Sequence, residues 1–167
     1  MFSPQQIMIF PLIFAAFFVS IQSQSINFTD CGSGNIKDLK VVPCTSDPCI
    51  LLLGTKVTFE MLFTSQFDAD SVNEVIKGIV RGKELPFPEK KKDPCDGYLT
   101  PTCPLKQGSE YVMAEHVEVK PFYPAIPIRV KYSLVDANEK VILCVEFGAK
   151  IIDPNPKKSR GRGRKPK

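Results

Sequence analysis

The stretch VTFEMLFT, residues 57 to 64, sets Val57, Phe59, Met61 and Phe63 on alternate positions, interleaved with Thr58, Glu60 and Thr64. A period of two places every second side chain on one face of an extended chain, so this stretch reads as a β-strand with one apolar face turned inward. Phe59 and Phe63 are therefore candidates to line the interior. The same period recurs in Ile128, Val130, Tyr132 and Leu134, separated by Arg129, Lys131 and Ser133, and again in Val141, Leu143, Val145 and Phe147. Shorter strand candidates lie at 26–30, 36–42 and 111–119, with proline- and glycine-rich punctuation between them. About seven strands and 15 prolines predict an all-β antiparallel sandwich.

One segment carries the other period. In SVNEVIKGIVRG, residues 71 to 82, Val72, Val75, Ile76, Ile79 and Val80 fall at helical spacing, whereas Gly78 and the β-branched stripe disfavour a helix. The pattern alone leaves helix and strand open.

The first 23 residues contain no charged side chain and an apolar run from Ile7 to Ile21, interrupted by Pro11 and ending in small and polar residues. The run is short for a bilayer span and reads as a secretory signal peptide, cleaved near Ser23. About 144 residues remain, enough for one domain with a sizeable core. Residues 154–167 (PNPKKSRGRGRKPK) hold 7 of the 22 basic side chains and none of the 18 acidic ones, so the rest of the chain sets 15 against 18 and carries −3. The expected organisation is a signal peptide at 1–23, a sandwich domain at 24–153 and a disordered basic tail at 154–167. The Arg-Gly-Arg pattern of the tail resembles a minor-groove DNA reader, but a secreted chain does not meet chromatin, so nucleic acid is excluded as a partner. A solubilising extension and attraction to anionic lipid or sulfated polysaccharide stay open for it.

Six cysteines in a secreted chain read as three disulfides, for which 15 pairings are possible. Spacing favours Cys44 with Cys49 and Cys95 with Cys103, leaving Cys31 for Cys144. A structural zinc site is disfavoured because no C-x-x-C pair occurs and His116 is the only histidine. His116 lies on the face opposite Val117 and Val119, and with no second histidine and the cysteines bridged there is no nucleophile–base pair. CGSG at 31–34 does not fit a serine-nucleophile turn. Acid pairs such as Asp68 with Asp70 and Glu115 with Glu118 read as surface charge, so no enzyme is expected, and no cofactor or metal. Asn27 opens the N-F-T sequon of an exposed N-terminal segment, an acceptor for a glycan.

The aromatics between prolines are more informative. In LPFPEKKKDPC, residues 85 to 95, Phe87 sits between Pro86 and Pro88, and Tyr123 sits in PFYPAIP. Proline fixes its own φ and drives the preceding residue toward extended geometry, so both rings are held stiffly. Phe87 with Leu85, and Tyr123, either plug one end of an ordinary core or hold open the mouth of a lipid cavity.

DCGS at 30–33, VVPCTSDPC at 41–49, PFP at 86–88, CP at 103–104, YP at 123–124 and LCVEF at 143–147 together resemble the ML lipid-recognition family. The resemblance covers roughly residues 26 to 152. It implies an immunoglobulin-like sandwich of two antiparallel sheets, a strand over 72–82 and the three bridges that spacing favours. It also implies that a sterol, or another hydrophobic small molecule, is held between the sheets with its hydroxyl near solvent. Phe87, Val119 and Tyr123 match the mouth of that pocket, with the PFP turn as a gate. Tyr132 and Val145 stand where family members carry tryptophans, and Leu85, Phe59, Phe63 and Ile79 complete the expected lining. A packed sandwich has sheets about 10 Å apart, so they must splay for a ligand to enter. The chain is thus expected to be a monomeric secreted or endosomal–lysosomal lumenal carrier. It would hand its lipid to a membrane or a membrane sterol transporter, with Lys90, Lys91 and Lys92 either drawing the mouth to anionic membranes or forming a solvated loop. The alternative is an extracellular binder of fatty acids, semiochemicals or microbial lipid.

Overall fold

A computed structural model of the chain describes residues 24–32, 35–87 and 93–156. Residues 1–23, where a signal peptide is expected, the lysines at 90–92 and all but the first residues of the basic tail lie outside them. The described residues form ten strands and no helix: β1 (Thr29–Asp30), β2 (Ile36–Val42), β3 (Cys49–Leu52), β4 (Lys56–Thr64), β5 (Asn73–Val80), β6 (Lys83–Pro86), β7 (Leu99–Thr100), β8 (Glu110–Glu118), β9 (Pro127–Val135) and β10 (Val141–Ile152). The count exceeds the seven expected by β3, β6 and β7, which have four, four and two residues and are too short to show a period in sequence, while the candidate at 26–30 contracts to the two residues of β1.

One sheet runs β2-β4-β8-β7 and the other β1-β10-β9-β5-β6, with β3 added beside β10. Every ladder is antiparallel except β3 on β10, which is parallel and pairs Ala149 with Cys49 through Ile152 with Leu52. β1 takes the nearer half of the same β10 edge, pairing Thr29 with Glu146 and Asp30 with Val145. β10 therefore needs 12 residues, because two short strands share its length.

Alternation decides the core. On β4, Val57, Phe59, Met61 and Phe63 are buried, and on β8 Tyr111, Met113, Glu115 and Val117 are. The second sheet answers with Val130, Tyr132 and Leu134 of β9 and with Val145, Phe147, Ala149 and Ile151 of β10. The Phe59 ring reaches across to Tyr132 at 6.3 Å and Phe147 at 5.7 Å between centroids. Burying such a side chain is worth about 1.5–3 kcal/mol, so this seam is a main source of cohesion between the sheets. Ile142 to Val145 are buried in succession, a break in alternation that coincides with a register irregularity between Val141 and Leu143. Here the outer face is covered too: Cys31 bridges to Cys144, and Gly32 lies so close that an added Cβ would stand 2.9 Å from the Cys144 amide nitrogen.

The three bridges are Cys31–Cys144, Cys44–Cys49 and Cys95–Cys103. The ambiguous segment is strand β5, joined to β6 by Arg81 and Gly82 at φ 49° and 78°. Two successive residues at positive φ are the connection whose twist matches a two-residue hairpin. As a strand, β5 shows its apolar residues to both faces: Ile76, Gly78 and Val80 to one, Val75, Lys77 and Ile79 to the other.

Candidate functional site

β6 ends at Pro86, on a sheet edge where the missing amide costs no ladder bond. The next amide, of Phe87, donates to the Ile76 carbonyl at 3.1 Å, which extends the pairing with β5 by one residue and directs the Phe87 ring at the end of the sandwich. From the other side comes the turn after β8, in which the Tyr123 amide donates to the Lys120 carbonyl at 3.1 Å between Pro121 and Pro124. Val119 is clamped just before that turn: its amide donates to Thr55 at 2.8 Å, and its carbonyl accepts from Gly54 at 2.6 Å. Gly54 holds φ of 78°, a conformation that favours glycine.

The two prolyl turns bring Phe87 and Tyr123 together at 4.8 Å between ring centroids, tilted by 54°. Phe122 packs edge-on against Tyr123 at 5.0 Å and is 71% exposed. Behind the Phe87–Tyr123 pair lies an apolar cavity of about 30 Å³, walled by Val57, Phe59, Ile76, Val117, Val119 and Val130 among others. In front of it an open apolar groove of about 300 Å³ runs along Gly78, Val80, Leu85, Pro86, Phe122 and Pro124. Phe87, Tyr123, Ile128 and Ile151 touch both spaces, so the ring pair is the partition between them. The ring pair is a plug over a small void, facing a groove.

Of the residues expected to line a ligand site, Phe59, Phe87, Val119 and Tyr123 meet at the cavity, and Leu85, half exposed, lines the groove alone. Tyr132 sits one inward position beyond Val130, stacked on Phe59. Phe63 is buried deeper along β4, against Tyr111 at 5.8 Å, away from both spaces. Ile79 does not join them: it pairs with Glu84 on β6 and Arg129 on β9 and so stands on the outer face, beside the Lys77–Glu84–Lys131 ion pairs. The helical-looking stripe had grouped it with Ile76, and the strand separates them.

Glu115 overturns its expectation as surface charge. Its carboxylate is 1% exposed, on the inward parity of β8 one position beyond Val117 and opposite Phe59. The Tyr132 hydroxyl, also fully buried, lies 3.3 Å from Glu115 Oε2 and 3.1 Å from Met113 Sδ. Burial pushes the Tyr132 phenol well above the ordinary tyrosine range, and the Glu74 and Glu115 carboxylates add to it. Parity was the available signal: Tyr111, Met113, Glu115 and Val117 alternate without a break. Ile76, Val80 and Phe122 were also missed, the last because a single exposed aromatic has no periodicity.

His116 is exposed on the outer face, its Nδ1 2.9 Å from Thr58 Oγ1 across the ladder. Among the described residues no group of three or more His, Cys, Asp or Glu side chains is placed to hold a metal ion. A polar depression of about 220 Å³ surrounds Asn27, Cys44, Ser46 and Asp47, where the exposed Asn27 amide donates to Asp47 at 2.8 Å. Its polar walls do not suit a lipid.

Residues 25–151 match the ML domain family. The chain is 34% identical over 129 residues to the NPC intracellular cholesterol transporter 2 of Canis lupus familiaris, covering 76% of this chain and 85% of the dog protein. It is 32% identical over 147 residues to a mite group 2 allergen of Tyrophagus putrescentiae, covering 88% of this chain and 99% of the allergen. The crystal structure of a Niemann-Pick type C2 protein from the Japanese carpenter ant superposes with a TM-score of 0.68 at 28% identity, covering 76% of this chain and all of the ant chain.

Proposed function

This chain belongs to the ML domain family, and from that premise we propose that it is a non-enzymatic carrier that takes up a sterol between its two sheets and passes it to a membrane or a membrane transporter. The observation that carries the reading is the Phe87–Tyr123 partition, with an apolar void behind it and an apolar groove in front. A void of about 30 Å³ holds a water or two and no lipid. Uptake therefore requires the ring pair to swing and the sheets to part, with ligand replacing the lost contacts. The groove gives the incoming molecule an apolar surface before the gate opens.

Burying about 400 Å² of apolar ligand surface yields about 10 kcal/mol at ~25 cal/mol/Å², before association and opening costs. The remainder corresponds to micromolar to nanomolar affinity. No bond is made or broken, and no cofactor is needed. The carrier works as a monomer outside the cytosol, in the secreted fluid or an endosomal or lysosomal lumen, with a glycan on Asn27. Lys90, Lys91 and Lys92, next to Phe87 in sequence, draw the mouth toward anionic lipid, each near the surface adding about 1 kcal/mol.

Competition on purified protein tests the reading: cholesterol should displace a bound fluorescent sterol at micromolar concentration or below. Displacement by oleate and not by cholesterol overturns the sterol assignment in favour of a fatty-acid binder. Transfer into vesicles containing acidic lipid should slow when the three lysines are replaced by alanine, and an unchanged rate refutes the docking role.

A further inference from the structure

The carrier reading needs the Phe87 ring to move and leaves open where it goes. The backbone there is held: Pro86 precedes Phe87, and the Phe87 amide donates to the Ile76 carbonyl at 3.1 Å. The ring therefore turns by its own side-chain torsions, between staggered wells. Two spaces adjoin it. The void behind, of about 30 Å³, holds a water or two and cannot take a phenyl ring, whereas the groove in front has about 300 Å³. The ring opens outward, onto the groove floor.

That floor has a bare place. On the inward face of β5 the row runs Ile76, Gly78, Val80, and only Gly78 carries no side chain. Gly78 pairs with Leu85, two residues before Phe87. It is thus the diagonal cross-strand neighbour of Phe87, at a separation that an aromatic side chain spans. Neither backbone nor packing asks for a glycine there. Gly54, Gly82, Gly97 and Gly108 hold positive φ, and Gly32 and Gly148 have Cys144 and Pro48 against the place of an added Cβ. At Gly78, φ lies outside the left-handed region and an added Cβ would meet nothing within 4 Å. A glycine inside a strand weakens it and often marks a place of close approach. We propose that Gly78 is a positioning residue of lipid uptake: its missing side chain is the space that receives the Phe87 ring when the gate opens. The proposal rests on the carrier reading, since it assigns to one position the room that the gate movement needs.

The test is stopped-flow fluorescence of dehydroergosterol mixed with the full chain, as wild type, Gly78→Ala and Gly78→Val, each also combined with Phe87→Ala. Valine fills the space, and forcing the ring off its preferred rotamer should slow association by about 2- to 13-fold. Alanine, with a Cβ alone, should fall between. Gly78→Val should melt no lower than the wild type, since valine is favoured in strands and its Cβ meets nothing. In the Phe87→Ala background, which has no ring to receive, Gly78→Val should leave the rate unchanged. A purely structural role for Gly78 would instead lower the melting temperature and slow both backgrounds alike. Association as fast in Gly78→Val as in the wild type overturns the inference and leaves the carrier reading standing. Slowing that persists in the Phe87→Ala background also overturns it, since the valine then obstructs the lipid and not the ring. A wild type that does not bind the probe overturns the sterol-carrier reading and this inference with it. Should Gly78→Val fail to fold, Gly78→Ala decides by the same comparison.

Discussion

Replacing Phe87 by alanine should speed lipid uptake, because it removes one half of the partition. The two rings stand 4.8 Å apart at 54°, an arrangement worth about 0.5–1.5 kcal/mol beyond buried area. If uptake passes through an open-gate state, loss of that energy raises the open population about 2- to 13-fold, and the association rate with it. Tyr123→Ala should do the same for the same reason. The double variant should gain little over either single one, since the pair contact can be lost only once, and the shortfall from the product of the two effects measures the coupling. Phe87→Leu, bulky but without a ring face, should fall between. Stopped-flow fluorescence of dehydroergosterol mixed with each variant reads these rates directly, with thermal melts to confirm that each is folded. Unchanged rates in both single variants, or a double variant whose effect is the product of the two, would refute a gate built from this ring pair.

Two further outcomes concern the frame around the site. The bridges close spans of 113, 5 and 8 residues, for which chain entropy gives about 5, 2 and 2.5 kcal/mol. Serine pairs in urea unfolding should therefore rank Cys31–Cys144 well above the other two, and comparable losses for all three would contradict the entropic account. On the outer face of β6, hydrogen bonds first from Lys131 and then Lys77 hold the Glu84 carboxyl down at about 2, against an ordinary 4.5. A carboxylate depressed by folding contributes stability that is complete above about 4.5 and lost as pH falls through about 2. The Glu84–lysine network should thus persist at lysosomal acidity, and Lys131→Met should raise the Glu84 midpoint in an NMR titration; an ordinary midpoint in the wild type would contradict the assignment.

How far the chain could be read follows from the range of each interaction. β4 was legible from VTFEMLFT because a half-buried strand records its burial in its own sequence, two residues at a time. β2 and β9 followed on the same ground. β3, β6 and β7 did not, because two to four residues hold no period, and their pairing is decided by β10, β5 and β8 alongside them. For 71–82 the composition favoured a strand and the spacing a helix. The hairpin at Arg81 and Gly82 and the β9 edge settled it, and in doing so turned Ile79 away from the site and Ile76 toward it.

By itself the sequence determined the all-β class and the stiffness of the two proline-flanked rings, since backbone restriction and two-residue periodicity are local properties of the chain; for the bridges it favoured one pairing out of 15, which the structure contains. Only the tertiary structure decided that the rings meet, that the void behind them is small, and that the Glu115 carboxylate is buried between the sheets. Those facts depend on the separation and register of two sheets whose strands come from distant parts of the chain, and packing at that distance leaves no local mark.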